Sequence, residues 1–152
     1  MSEPLARAVA LAVESVEVGG GPFGCVVVTV DGRAFEGRNE VVATRDPSAH
    51  AEIQAMRAAG AATGSHDLSG AVLYASGEPC PMCFAAIHWA NVESVVYAAE
   101  SAQAAAAGFD DSWIADIQSG RTADPVPFVH VPRPDSAAPF EAWAAHPDRA
   151  EY

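Results

Sequence analysis

Glu78-Pro79-Cys80-Pro81-Met82-Cys83 reads as the opening turn of a helix that grips a metal. Its two thiols stand three residues apart, with prolines at 79 and 81. Proline at the first helical positions sacrifices no hydrogen bond, because those N–H groups lack helical partners anyway. The same free N–H groups and the positive helix end favour thiolate over thiol, the form a metal binds. Upstream, His50-Ala51-Glu52 adds an imidazole and, two residues on, a carboxylate. Two Cys and one His suit Zn²⁺, one per chain, and leave its fourth position open for water. A water held there ionises near neutral pH, and the Glu52 carboxylate is placed to move its protons. Competing readings each explain half the residues: a redox pair uses only the CxxC, and a structural zinc needs a fourth ligand such as Cys25.

The chain has 152 residues, enough for a single domain with one core. Eight Lys and Arg stand against 20 Asp and Glu, a formal net charge of −12. Such a charge repels nucleic-acid phosphates and anionic membranes, so neither is an expected partner. Three cysteines, two of them assigned to metal, leave no disulfide pair and point to a reducing, cytoplasmic setting. Glu3, Arg7, Glu14 and Glu17 interrupt the N-terminal apolar residues, against a signal peptide, and no run reaches membrane length.

Outward from the motif, residues 4–18 predict a helix whose Leu5, Val9, Ala12, Val13 and Val16 form one apolar stripe, stopped by Gly19-Gly20-Gly21. A buried strand over 25–30 follows, then a two-residue Asp31-Gly32 turn and a return strand over 33–37. Ser48 is the expected N-cap of a helix over 49–59, and 60–70 reads as loop. Strands over 71–75 and 92–97 flank the cysteine helix as a βαβ unit with parallel strands. Residues 100–107 are helix-prone, and Asp110-Asp111 is either a helix cap or a pair of pocket groups. Five prolines between 125 and 139 leave at most a short edge strand over 127–131, before a last helix over 140–145. That arm, residues 125–152, looks extended rather than folded back.

Taken together, Gly21-Pro22-Phe23-Gly24, Asn39, Asp46-Pro47, His50-Ala51-Glu52, Glu78-Pro79-Cys80-Pro81-Met82-Cys83, Trp89-Ala90, Gly108-Phe109-Asp110-Asp111 and the terminal Glu151-Tyr152 resemble the bacterial guanine deaminases of the cytidine deaminase superfamily. The resemblance implies an α/β protein with a three-layer α/β/α fold around a central five-stranded mixed sheet. It also implies a homodimer whose C-terminal arm swaps onto the partner. By the same resemblance His50, Cys80 and Cys83 hold zinc and Glu52 shuttles protons. Phe23, Asn39, Ala51 and Trp89 contact the base, Asp111 bonds it or relays a proton, and Tyr152 closes the partner's pocket. Gly77 and Phe84-Ala85 depart from the residues expected in relatives, which opens a preference for smaller rings. Deaminases of cytosine or aminotriazines are therefore alternatives, beside a tRNA adenosine deaminase, which the charge opposes, and a zinc-stabilised binding module, in which Glu52 has no task.

Overall fold

The computed structural model describes residues 3–152. Four strands, β1 (Gly24–Val28), β2 (Ala34–Arg38), β3 (Val72–Gly77) and β4 (Ser94–Ala99), form one mixed sheet in the order β2-β1-β3-β4. Seven helices surround it among the described residues: α1 (Glu3–Glu17), α2 (Val41–Thr44), α3 (Ala51–Thr63), α4 (Pro81–Trp89), α5 (Ser101–Ala106), α6 (Ser112–Gln118) and α7 (Ala138–Ala145). β1 pairs antiparallel with both β2 and β3, and β3 runs parallel to β4 across α4, as the βαβ pattern predicts.

Alternation along the strands sends side chains to opposite faces. Cys25, Val27, Leu73 and Ala75 pack with Ala55, Ala59 and Ile87 of α3 and α4, whereas Val26, Val28 and Tyr74 meet Ala8 and Leu11 of α1. The result is three layers, helix on sheet on helix. Burying Val26, Val27 and Leu73 fully contributes about 1.5–3 kcal/mol each. Both helical layers sit unusually close. A Cβ at Gly24 would strike the Ala8 and Ala12 backbone of α1, and one at Gly37 would lie 2.5 Å from the Ala55 nitrogen of α3.

Several expectations are corrected by this packing. The sheet has four strands, not five. Residues 127–131 pair with nothing, because prolines 125, 127, 132 and 134 remove donors and the segment lies exposed. Of the α1 stripe only Ala12 is buried. Val9, Val13 and Val16 face outward at 39%, 58% and 54% exposure, because the close seat on Gly24 selects small Ala8 and Ala12 for the inner face. The hairpin turn has three residues: Thr29 N–H donates to Arg33 O and Gly32 N–H to Thr29 O, with Gly32 at φ +82°. His50, not Ser48, caps α3. The Ser48 hydroxyl donates instead to Asp46, and the helix runs on to Thr63 before Gly64 ends it at φ +70°. Helices α2 and α6 are too short to show a period in sequence.

Gly37 carries the first prediction. Gly37→Ala should push the start of α3 off β2 and lower stability by about 1–3 kcal/mol, the usual cost of overpacking. Thermal unfolding checks it; an unchanged Tm would show that α3 is not seated on this glycine.

Candidate active site

The ends of β3 and β2 deliver two helix starts to one place. His50 is the N-cap of α3 and Cys80 the N-cap of α4, both with extended backbone, so each side chain leaves its helix at the N-terminal end. Pro81 occupies the first helical position of α4, as expected. The Nδ1 of His50 lies 3.5 Å from Cys80 Sγ and 3.6 Å from Cys83 Sγ. All three donor atoms fall within 4.8 Å of one another. Tetrahedral zinc, with bonds of about 2.3 Å to sulfur and about 2.0 Å to nitrogen, separates these atom types by roughly 3.5 Å. The trio therefore fits zinc in both identity and spacing.

Charge agrees with geometry. The Cys80 thiol is pulled down to about 4, first by its hydrogen bond with Cys83 and then by His50 beside it. Cys83 is driven the other way, by Cys80 and by burial, and His50 is raised by its bond to Cys80. Two adjacent thiolates repel each other, so both ionise together only against a cation, which is what a divalent metal supplies. Cys25 stands apart: it is fully buried in the α3-facing core, its thiol pushed well up by burial, and it belongs to no ligand group.

A cavity of about 560 Å³ opens on His50 and Cys80 of this trio. His50, Cys80 and Glu52 line it together with Phe23, Asn39, Glu78, Phe109, Asp111 and Trp113. Glu52 is only 7% exposed, and burial raises its carboxyl above the ordinary range. Asp111 is likewise raised, by burial and then by Cys80. Both paired acids line the cavity, but Asp110 accepts the Ser112 N–H, whereas Asp111 makes no capping bond. Phe23 meets Phe109 edge to face at 5.1 Å, forming an aromatic wall.

The structure thus gathers His50, Cys80, Cys83, Glu52, Phe23, Asn39 and Asp111. It does not bring Ala51, Trp89 or Tyr152 to the same cavity. Ala51 is buried in the core behind the site. Trp89 is 64% exposed and faces Tyr152 at 6.0 Å across a second groove, where Tyr152 also meets His66 and Trp143. Phe84 lies outside the cavity, in a groove beside it, so its bulk does not narrow the space around the metal ligands. Phe109, Trp113 and Glu78 also line the cavity; Glu78 and Phe109 fall within the sequence motifs quoted above, but none of the three was given a role in the site there. The signal for Trp113 was weak, because Trp113 and Ile114 are adjacent and give no helical stripe.

Residues 2–99 match the family model for the cytidine and deoxycytidylate deaminase zinc-binding region. The chain belongs to this family. Among curated relatives of this deaminase-family chain, guanine deaminase of Bacillus subtilis is 45% identical over 97% of this chain and 96% of its own. The X-ray structure of guanine deaminase from Bacillus subtilis superposes with a TM-score of 0.94 at 44% identity, covering 100% of this chain and 99% of that one. A guanine deaminase from Nitrosomonas europaea gives a TM-score of 0.67 at 34% identity, over 76% of this chain and 70% of that one. The tRNA-specific adenosine deaminase of Agrobacterium fabrum is 42% identical but over only 52% of each chain.

With three protein ligands, each should be indispensable. Cys83→Ala should bring zinc content from one per chain to well below it, as elemental analysis of purified protein would show; full zinc retention would remove Cys83 from the ligand set.

Proposed function

We infer that the chain hydrolytically deaminates a free aminopurine, with guanine its principal substrate, giving xanthine and ammonia. One observation carries the reading: two of the metal ligands, His50 and Cys80, and the buried Glu52 share a cavity of base-binding size, with Cys83 completing the ligand trio behind it. The end-to-end likeness to the Bacillus subtilis guanine deaminase, against half-length likeness to the Agrobacterium fabrum tRNA enzyme, supports guanine over adenosine in tRNA. The cavity lining includes no Lys or Arg, which also fits a neutral base better than a polynucleotide. Phe84 outside the cavity weighs against smaller rings such as cytosine or aminotriazines.

Zinc held by His50, Cys80 and Cys83 supplies Lewis-acid activation of the attacking water. Glu52 accepts that water's proton as the hydroxyl adds to C2 of guanine, the carbon bearing the amine. It gives that proton to the ring nitrogen, then takes the second from the new C2 hydroxyl as the carbonyl forms and passes it to the departing amine, which leaves as ammonia. A carboxyl raised by burial suits alternate acid and base duty. The Phe23–Phe109 wall holds the ring and excludes water, Asn39 hydrogen-bonds its polar edge, and Asp111 bonds the base or relays a second proton.

The arm enters through the partner. Every residue from 118 to 152 is exposed, including Phe128, Val129, Val131, Phe140 and Trp143. The accessible surface is 9764 Å², about a third above the roughly 7,300 Å² expected of a folded monomer of this mass. Both facts support a homodimer in which the arm packs on a second copy, where Tyr152 leaves its own chain's Trp89 groove and closes the partner's cavity. The outer edge of β4 and the unpaired residues 127–131 offer such a dimer a fifth strand. Three free cysteines fit a cytoplasmic setting, and among the described residues no helix is long and apolar enough to cross a membrane.

Glu52→Gln keeps shape and loses the base, so zinc content should hold while ammonia release from guanine falls by about 10²–10⁴-fold. Near-normal turnover would hand the shuttle to another group. A panel of guanine, cytosine, adenosine and aminotriazines, assayed in the same way, ranks the substrates; no release from guanine would sink the reading.

Deleting Glu151 and Tyr152 should leave a zinc-loaded dimer with impaired deamination. Mixing that chain with Glu52→Gln chains should restore part of it, since one hybrid site combines an intact Glu52 with a partner's intact Tyr152. Absence of recovery after subunit exchange would refute the swapped lid.

A further inference from the structure

The Gly19-Gly20-Gly21 run stops α1, but stopping a helix needs only one glycine. Gly19 has φ +84° and open space around it, as a left-handed helix end requires. Gly20 and Gly21 lack positive φ, so turn geometry does not explain them. What surrounds them does. A Cβ at Gly20 would collide with the Ser15 hydroxyl and lie 2.7 Å from the Asn39 carbonyl oxygen. One at Gly21 would come within 3.2–3.4 Å of three atoms of the Asn39 side-chain amide.

Ser15 occupies the centre of this arrangement. It is one of very few buried polar residues, with no exposed surface, on the last full turn of α1. Its hydroxyl donates to Asn39 O at 3.3 Å, and its own carbonyl accepts Gly20 N–H at 2.8 Å. Asn39 N–H donates to Phe23 O at 3.1 Å, and Asn39 Oδ1 accepts Val41 N–H at 3.3 Å. The backbone of Asn39 is thus tied on both sides, and its amide is turned by its own Oδ1 bond. The Nδ2 donor is left for the cavity that Asn39 lines.

We propose that Ser15, with the Cβ-free Gly20 and Gly21, is a positioning device for Asn39: the last turn of α1 sets where that amide meets the base. The proposal rests on the reading of Asn39 as a base contact. An amide fixed in advance binds without first losing its rotamer freedom, and a misplacement well under an ångström weakens both binding and alignment. Ser15 touches neither metal ligands nor substrate and acts only through Asn39.

The test is a double-mutant cycle on ammonia release from guanine, with zinc content and Tm as controls. Ser15→Ala and Gly21→Ala should each lower kcat/KM on the order of 10-fold, chiefly through a raised KM, with zinc content unchanged. In an Asn39→Ala background neither should cost anything further. Equal fold losses in both backgrounds would make Ser15 and Gly21 merely structural and overturn the proposal, as would no loss from either single variant. If Ser15→Ala does not fold, Gly21→Ala decides, since its added methyl meets the Asn39 amide directly. Failure of the parent reading looks different: Asn39→Ala would then itself retain full kcat/KM for guanine.

Discussion

Two helix N-termini converge on one point in this protein, and most of the fold is arranged to make that tolerable. The caps of α3 and α4, His50 and Cys80, stand 3.5 Å apart at their ring nitrogen and sulfur. Each helix start carries partial positive charge and unpaired N–H groups, so two of them facing each other repel unless something anionic lies between. Thiolate sulfur is that something: Cys80 Sγ accepts the Cys83 N–H at 3.5 Å. The helix ends stabilise the ligands in the charge state a metal needs, and the ligands hold the helix ends together.

Holding two helices to that tolerance demands a rigid base, which the sheet provides by letting backbones touch. At Gly37 the chain of α3 rests on β2 with no side chain between, one residue from the ligand His50. Closely seated, a helix cannot slide by even part of a turn without backbone collision, whereas a helix cushioned on leucines can. On the opposite face Gly24 seats α1 in the same way. The sheet is therefore clamped from both sides near the ends of β1 and β2, where Asn39 and Phe23 emerge toward the cavity.

How much of this the sequence disclosed depended on how local the cause was. The zinc ligands were legible because Cys80 and Cys83 lie on one helical turn and His50-Ala51-Glu52 on another, so spacing alone carries the chemistry. The parallel β3–α4–β4 unit was legible for the same reason. The outer stripe of α1 was not: Val9, Val13 and Val16 show the right period, yet periodicity marks an apolar face without saying what covers it. The inner face was chosen by backbone proximity to Gly24, a tertiary fact. Which of Asp110 and Asp111 accepts the Ser112 N–H depended on a turn geometry that two identical side chains cannot reveal. The expected fifth strand failed on the simplest ground, since a strand needs a neighbour and residues 127–131 have none within the chain.

Cys25 has a consequence for how the metal is handled in the laboratory. Its thiol is sealed in the core and held in the protonated form by burial, so it does not offer the nucleophilic sulfur that alkylating reagents and oxidants attack. The other two thiols are shielded whenever they are engaged as ligands. The native molecule thereby carries its own occupancy gauge: a thiol-reactive dye finds nothing to label on the filled protein, and finds Cys80, the partly exposed thiol of the three, once a chelator has drawn the ion away while the fold persists.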